Sequence, residues 1–260
     1  MPFSEQGDIR YFTFDSFPAT VIHGVVSRRG GVSPAPWESL NVGGTVGDEP
    51  RRVQKNRART FEALGRKLAS LYDVWQVHSA DVVCADAPRD PATELVQADV
   101  VLTDRPEVTL YMRFADCVPI LLHDPKKHVI GIAHAGWLGT VRGVARAAVE
   151  TMVSRYGSKP KNILAGIAAS IGPDHYEIGP DVRMQIQEAF GPHADGLLQT
   201  RKRRTYLDLW AANALQLQQA GVEAIEQAGL CTACHLDDWF SHRAEKGKTG
   251  RFGALIGLQS

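Results

Sequence analysis

The amino-acid sequence predicts a mixed α/β (α+β) fold: one domain over residues 1–260, with a central mixed β-sheet flanked by helices. Three observations carry this expectation. Short apolar runs and helical apolar periodicity interleave irregularly, without the regular alternation of a doubly wound sheet. No internal repeat or low-complexity linker divides the chain. Hydrophobic residues at 44% and charged residues at 22% suit a packed core and exclude a disordered chain.

The first strand is expected over Val21 to Ser27, followed by the loop RRGGVSPAPWESLNVGG, whose glycine and proline content and length mark a functional loop. Asp48 and Pro50 open a helix with Val53, Arg57, Thr60, Phe61 and Leu64 at helical spacing, stopped by Gly65. Strands are expected at Val74–Val77, Val82–Ala85, Val100–Thr103 and Val108–Phe114. A second helix places Val141, Val144, Ala145, Ala148, Val149, Met152 and Val153 on one face and ends at Gly157. A strand over Ile163–Ala169, helices over Asp181–Phe190 and Leu207–Ala220, and a closing strand over Phe252–Leu258 complete the reading.

Twenty-nine basic residues balance twenty-nine acidic ones, so the electrostatic footprint of a general nucleic-acid binder is missing. No signal-like N-terminus and no apolar run near the ~18 residues of a membrane span are present, which reads as a cytoplasmic protein with no membrane partner. Four cysteines are too few for a disulfide scaffold in a chain of this length.

The stretch ADCVPILLHDPKKHVIGIAHAGW, residues 115–137, concentrates the chemistry. Val118, Ile120 and Leu122, then Val129, Ile130 and Ile132, read as two buried strands joined by Asp124-Pro125-Lys126-Lys127, with proline at the second turn position. A turn centred between Pro125 and Lys126 sets Cys117 directly opposite His134, within about 4.5–5.5 Å, close enough to share a metal or a proton. A one-residue slip would put them on opposite faces. His78, following Val74-Trp75-Gln76-Val77, is the best candidate for a third group.

Other motifs carry less. Cys231-Thr232-Ala233-Cys234-His235 fits covalent haem attachment, but that chemistry belongs to an exported chain. No partner C-x-x-C for a structural zinc exists, so these read as packed thiols. Gly247-Lys248-Thr249 lacks the first glycine of a P-loop, since His242 stands there. Arg201-Lys202-Arg203-Arg204 reads as a solvated basic loop. Hydrolase and deaminase signatures of the G-x-S-x-G, H-E-x-x-H and H-x-E with P-C-x-x-C types are missing.

Taken in order, the blocks Arg28-Arg29-Gly30-Gly31-Val32-Ser33, Ser39-Leu40-Asn41-Val42-Gly43, Gln76-Val77-His78, Ala115-Asp116-Cys117-Val118-Pro119-Ile120 and His134-Ala135-Gly136-Trp137 form a specific pattern. Ile171-Gly172-Pro173, Tyr176-Glu177-Ile178-Gly179, Leu207-Asp208-Leu209, Cys231-Thr232, Phe240-Ser241-His242-Arg243 and Thr249-Gly250-Arg251 continue it. The chain resembles the YfiH family of laccase-domain proteins, also called polyphenol oxidases and purine nucleoside phosphorylases, to which FAMIN is related. The resemblance implies a YfiH-like fold and a zinc ion bound by His78, Cys117 and His134. Two imidazoles and a thiolate suit zinc, and three protein ligands leave a fourth position open, as in catalytic sites.

The resemblance further implies phosphorolysis of adenosine, inosine, guanosine or methylthioadenosine, with adenosine deamination as a second activity; purine nucleosides and phosphate are then the partners. Cys117, His134 and Asp116 are the expected catalytic residues; Arg28, Asn41, Ser241, Arg243 and His175 are the expected substrate-binding ones. Two departures stand out. Many relatives have arginine where Leu138 follows H-A-G-W, and many have paired cysteines where this chain has Asp174-His175. The first removes a cation near the metal; the second makes His175 an additional polar group or ligand. Rival readings are a copper-dependent polyphenol oxidase, a metal-free Cys-His hydrolase acting in peptidoglycan-precursor editing, and a non-enzymatic interaction domain.

Overall fold

The computed structural model describes residues 3–259. Val118–Asp124 and Val129–Ala135 are buried at every position, and a strand apolar on both sides needs a layer against each face. On one face Val118, Ile120, Leu122, Ala133 and Ala135 pack with residues of the helices Val144–Tyr156 and Leu209–Gln219. On the other face Leu121, Ile130 and Ile132 meet a second sheet through Leu110, Met112, Phe252 and Ile256. Beyond that sheet, Tyr111 and Leu255 are covered by Phe61 and Leu64 at the end of the helix Pro50–Ala63. The layers are therefore helix, sheet, sheet, helix, and each fully buried leucine or isoleucine contributes about 1.5–3 kcal/mol.

One six-stranded sheet has the spatial order Phe3–Gln6, Ile9–Phe12, Val21–Val26, Phe252–Leu258, Thr109–Phe114, Leu71–Tyr72. The other runs Ala224–Gln227, Leu164–Ile167, Val118–Asp124, Val129–Ala135, Val100–Thr103, Val82–Cys84. Glu177–Ile178, Arg204–Leu207 and Leu198–Arg201 form a small third sheet. Parallel pairing at Leu71–Tyr72, Val82–Cys84 and Ala224–Gln227 makes both large sheets mixed. The mixed α/β class is as expected, built from several mixed sheets in place of one central sheet. No helix among the described residues is long and apolar enough to cross a membrane.

The hairpin departs from the expected register. Val118 pairs with Ala135 and Asp124 with Val129, so Cys117 faces Gly136, and His134 faces Pro119. The cause is the turn. Asp124 Oδ1 accepts the N–H groups of Lys126 and Lys127, at 2.8 and 3.2 Å, and His128 takes a left-handed φ of 55°, so the loop centres one residue later than proline alone suggests. A one-residue displacement of the centre moves each pairing by two residues, which keeps Cys117 and His134 on one face.

Two further expectations are corrected, and the basic run, solvent-exposed as expected, is given its conformation. Leu207 ends a strand, because Asp208 caps the helix by accepting the Ala211 N–H at 2.9 Å. The basic run Arg201-Lys202-Arg203-Arg204 is the tip of a hairpin, with Lys202 and Arg203 at φ 48° and 66°, as a two-residue I′ turn requires. Val74–Val77 is not a strand; only Trp75 bridges, to Gln97. Pairing with Thr109–Phe114 comes one step earlier, at Leu71–Tyr72.

Candidate active site and metal centre

The site lies at one end of the two-sheet sandwich, where the chain passes from one sheet to the other. Thr109–Phe114 ends in the first sheet, Val118–Asp124 begins in the second, and Ala115-Asp116-Cys117 is the link. Asp116 makes the corner with a left-handed φ of 83°, and its carboxylate secures it. Oδ1 accepts from Thr232 Oγ1 at 2.6 Å, and Oδ2 accepts from the Arg243 N–H at 2.6 Å. Cys117 is thereby held at the edge of the inter-sheet core. The ring of His134 lies on the same face, 5.4 Å from that of Phe114.

His78 arrives on the loop between the strands Leu71–Tyr72 and Val82–Cys84. Two polar side chains fix that loop. Gln76 exchanges hydrogen bonds with the Arg113 backbone, at 2.8 and 3.0 Å, imitating a strand partner. Asp99 Oδ2 accepts the N–H groups of Val77 and Ser79, at 3.0 and 2.7 Å, which flank His78 at its left-handed φ of 59°.

His78, Cys117 and His134 converge so that their ligand atoms all lie within 4.8 Å of one another. Cys117 Sγ is 3.8 Å from His78 Nε2, and the two imidazole centroids are 4.9 Å apart. Ligands of one tetrahedral zinc, bonded at about 2.3 Å through sulfur and about 2.0–2.1 Å through nitrogen, are separated by about 3.3–3.6 Å. The donor set fits a metal ion. Gly136 makes the approach possible: a Cβ there would lie 2.9 Å from Cys117 Sγ and 2.8 Å from the His78 ring. Behind the ligands, Asp99 Oδ1 is 2.7 Å from His134 Nδ1, leaving Nε2 for the metal, the usual support of a ligating histidine.

Electrostatics agree with this reading. Burial opposes ionisation of Cys117, yet the neighbouring His134 and His78 overcome it and bring the thiol well below its ordinary value. Burial likewise opposes a charge on His134, and the Cys117 thiolate with the Asp99 carboxylate overcomes it and raises its pKa. Both shifts run toward the charged forms of the pair, thiolate and imidazolium.

The three ligands line a cavity of about 490 Å³. Gly43, Gly44 and Thr45 form one rim; Trp75, Trp137 and Tyr176 supply aromatic walls; Arg113, Arg243 and Arg251 supply positive charge. Arg113 sits 3.8 Å from the buried Asp73 carboxylate, whereas Arg243 and Arg251 form no ion pair among the described residues. Arg243 lies over the Tyr176 ring, 5.0 Å from its centroid.

The other sequence-predicted residues lie elsewhere. Arg28 is outside the cavity: it donates to the Glu38 carbonyl at 2.7 Å, pairs with Glu245 at 3.1 Å and covers the Phe240 ring, so it braces two loops. Asn41 is fully buried and orders the rim by accepting from Gly43 and Arg251 backbone N–H groups at 3.0 and 2.9 Å. Ser241 is buried as well, its hydroxyl accepting from the Ala244 N–H at 3.1 Å. His175 belongs to a separate cluster with Asp174, Cys231 and Cys234. Leu138 does not line the cavity; Arg142, one turn on, donates to the His78 carbonyl at 3.0 Å. Sequence reasoning passed over Asp99, Arg113 and His242. The signal for Asp99 was a carboxylate opening the otherwise apolar run Val100–Leu102.

Residues 22–259 match the profile of a family described as multi-copper polyphenol oxidoreductase laccase. The chain belongs to this laccase-like family. Its relatives include a "Purine nucleoside phosphorylase" of Deinococcus radiodurans, 40% identical over 238 residues that cover 92% of this chain and 89% of that one. "Purine nucleoside phosphorylase YlmD" of Bacillus subtilis is 37% identical over 248 residues, covering 92% and 89%. Among solved structures, the Bacillus licheniformis hypothetical protein YfiH superposes with a TM-score of 0.92 at 34% identity, covering 99% of both chains. YlmD from Geobacillus stearothermophilus gives 0.92 at 34% identity, covering 100% of this chain and 99% of that one. The YfiH-like fold is thus shared across the described residues, and the Deinococcus and Bacillus subtilis relatives carry the names of enzymes.

Proposed function

We propose that this chain is a purine nucleoside phosphorylase with zinc at His78, Cys117 and His134, and that it also deaminates adenosine. One observation carries the reading: three side chains able to hold a metal share their cavity with two arginines that have no carboxylate partner among the described residues and with three aromatic rings. The names of the relatives point the same way.

Zinc held by these ligands supplies Lewis acidity at its fourth position. The chain's own residues do the rest. Arg243 and Arg251 offer planar guanidinium groups to phosphate, which they can bind in bidentate fashion. Asp116, with both oxygens engaged, acts by holding the Arg243 backbone in place. Trp75, Trp137 and Tyr176 give flat surfaces for a purine and exclude water from the glycosidic carbon. In phosphorolysis a phosphate oxygen bonds to C1′ as the N9–C1′ bond breaks; the purine leaves with the electron pair and takes up a proton. In deamination water replaces the 6-amino group and ammonia leaves.

Two rivals are separable. A multi-copper oxidase needs many more clustered histidines, and the described residues place two histidines with one cysteine here and one histidine in the other donor cluster. A metal-free hydrolase has a specific observation in its favour: Asp99, His134 and Cys117 stand in the order orienter, base, nucleophile. The deciding experiment incubates metal-analysed protein with adenosine, with and without phosphate, and resolves products by chromatography. Adenine formed only with phosphate supports phosphorolysis, and inosine in both samples supports deamination. Failure to turn over any purine nucleoside, or activity that survives complete metal removal, overturns the reading.

A further inference from the structure

A second group of metal-ligating side chains stands outside the cavity. Cys231 and Cys234, read from the sequence as packed thiols, meet Asp174 and His175 of the segment after Ile171-Gly172-Pro173, and their four ligand atoms all lie within 4.8 Å of one another. His175 Nδ1 is 3.7 Å from Cys231 Sγ and 3.5 Å from Cys234 Sγ. Asp174 Oδ2 is 3.6 Å from Cys234 Sγ, and Asp174 Oδ1 is 3.1 Å from His175 Nδ1. Around a tetrahedral zinc the sulfur–nitrogen and sulfur–oxygen edges are about 3.5–3.6 Å and the nitrogen–oxygen edge about 3.3 Å. The three sulfur edges, 3.5–3.7 Å, lie within about 0.2 Å of these values, and the shorter 3.1 Å contact is made by the second oxygen of Asp174.

The surroundings are shaped for the same purpose. The Gly172 N–H points at Cys231 Sγ at 3.2 Å, a donor that steadies a thiolate. A Cβ on Gly172 would lie 2.8 Å from Asp174 Oδ1 and 3.2 Å from Cys231 Sγ, so only glycine leaves this space. All four cysteines of the chain are free thiols.

We propose that Asp174, His175, Cys231 and Cys234 form a second, structural site for a thiophilic divalent cation of the zinc class. Two thiols, one carboxylate and one imidazole fill four positions and leave none for substrate, which marks a structural site. Binding releases the two thiol protons to solvent. The ion ties together two segments that build the cavity wall: one continues into Tyr176, the other carries Thr232, whose hydroxyl holds the Asp116 corner. The site is independent of the nucleoside reading.

The test measures zinc per chain on full-length protein purified under reducing conditions, comparing wild type with Cys234→Ser, His175→Ala and Cys117→Ser. The expected result is two equivalents for wild type and one for each variant, with Cys117→Ser combined with Cys234→Ser holding none. Cobalt substitution gives a second readout: Cys234→Ser removes part of the sulfur-to-cobalt charge-transfer absorption that Cys117→Ser leaves in place. Cys234 and His175 are exposed, so these variants fold. The proposal is overturned if wild type holds a single equivalent that only Cys117→Ser removes, or if peptide mapping of the reduced, anaerobically handled protein finds Cys231 and Cys234 joined as a disulfide.

Discussion

Asp99 links both histidines of the candidate metal centre: one carboxylate oxygen lies 2.7 Å from His134 Nδ1, and the other accepts the N–H groups on either side of His78. The ligands are 56 residues apart in sequence, and this one side chain sets the position of both. The burial of Asp99 favours its neutral form, but its hydrogen bond to His134 outweighs that and keeps the pKa below the ordinary carboxylate value. Asp99→Asn should weaken zinc binding by about 10–100-fold. Competition with a chromogenic chelator measures this, and an unchanged affinity would remove Asp99 from the site's support.

Gly136→Ala tests the crowding directly. Its new Cβ meets Cys117 sulfur and the His78 ring at under 3 Å, so the ligands must spread. Metal content and nucleoside turnover should both fall at least tenfold, and the denaturation midpoint should fall as well, because Gly136 is the N-cap of the helix Trp137–Val141, where alanine is less favourable than glycine. A fully loaded, active variant would show that the ligands adjust without cost.

Arg243 and Arg251 separate phosphate from purine recognition. Losing a hydrogen bond to a charged group costs about 1.5–3 kcal/mol, so Arg251→Ala should raise KM for phosphate by roughly tenfold or more. KM for the nucleoside should change much less. Steady-state kinetics with each substrate varied in turn give the comparison. An equal rise in both would assign Arg251 to general shaping of the cavity.

Stability should decline on acidification through His23 and Glu226. His23 Nε2 accepts the Phe14 N–H at 2.8 Å, which requires an unprotonated nitrogen, and burial lowers its pKa despite the Val21 carbonyl and Glu226. Glu226 accepts from Asp15 and Ser16 N–H groups at 3.1 and 2.8 Å; burial opposes its charge, and these hydrogen bonds outweigh burial and hold it low. Both groups bind protons more readily in the unfolded chain. Their contribution is therefore complete above the ordinary histidine value of 6.5 and is lost as pH falls, through His23 first and the carboxylate range next. Urea midpoints from pH 7.5 down to 4.5 should fall, and Glu226→Gln should flatten the lower part of the curve. A midpoint that rises on acidification would contradict this account.

Much of this architecture was legible in the sequence. The paired strands over Val118–Asp124 and Val129–Ala135 announce themselves by continuous apolar residues, and Gly157 stops its helix with the left-handed φ of 69° expected. The hairpin's register was not legible, because Asp124 caps the turn from a position that proline spacing ignores. The layered pairing of two sheets depends on contacts between distant strands, such as Leu121 with the sheet holding Met112, which no local pattern records. The same reason hid the second donor cluster: a C-x-x-C signature needs a nearby partner motif to be convincing, and here the partners, Asp174 and His175, come from another segment altogether.

The link Ala115-Asp116-Cys117 belongs to neither sheet, yet it carries a ligand whose two companions are placed from both. Any shear of one sheet against the other would drag the sulfur away from the imidazoles. Release on heating of an ion bound by the three side chains should therefore coincide with global unfolding, which would make such an ion a reporter of sandwich alignment.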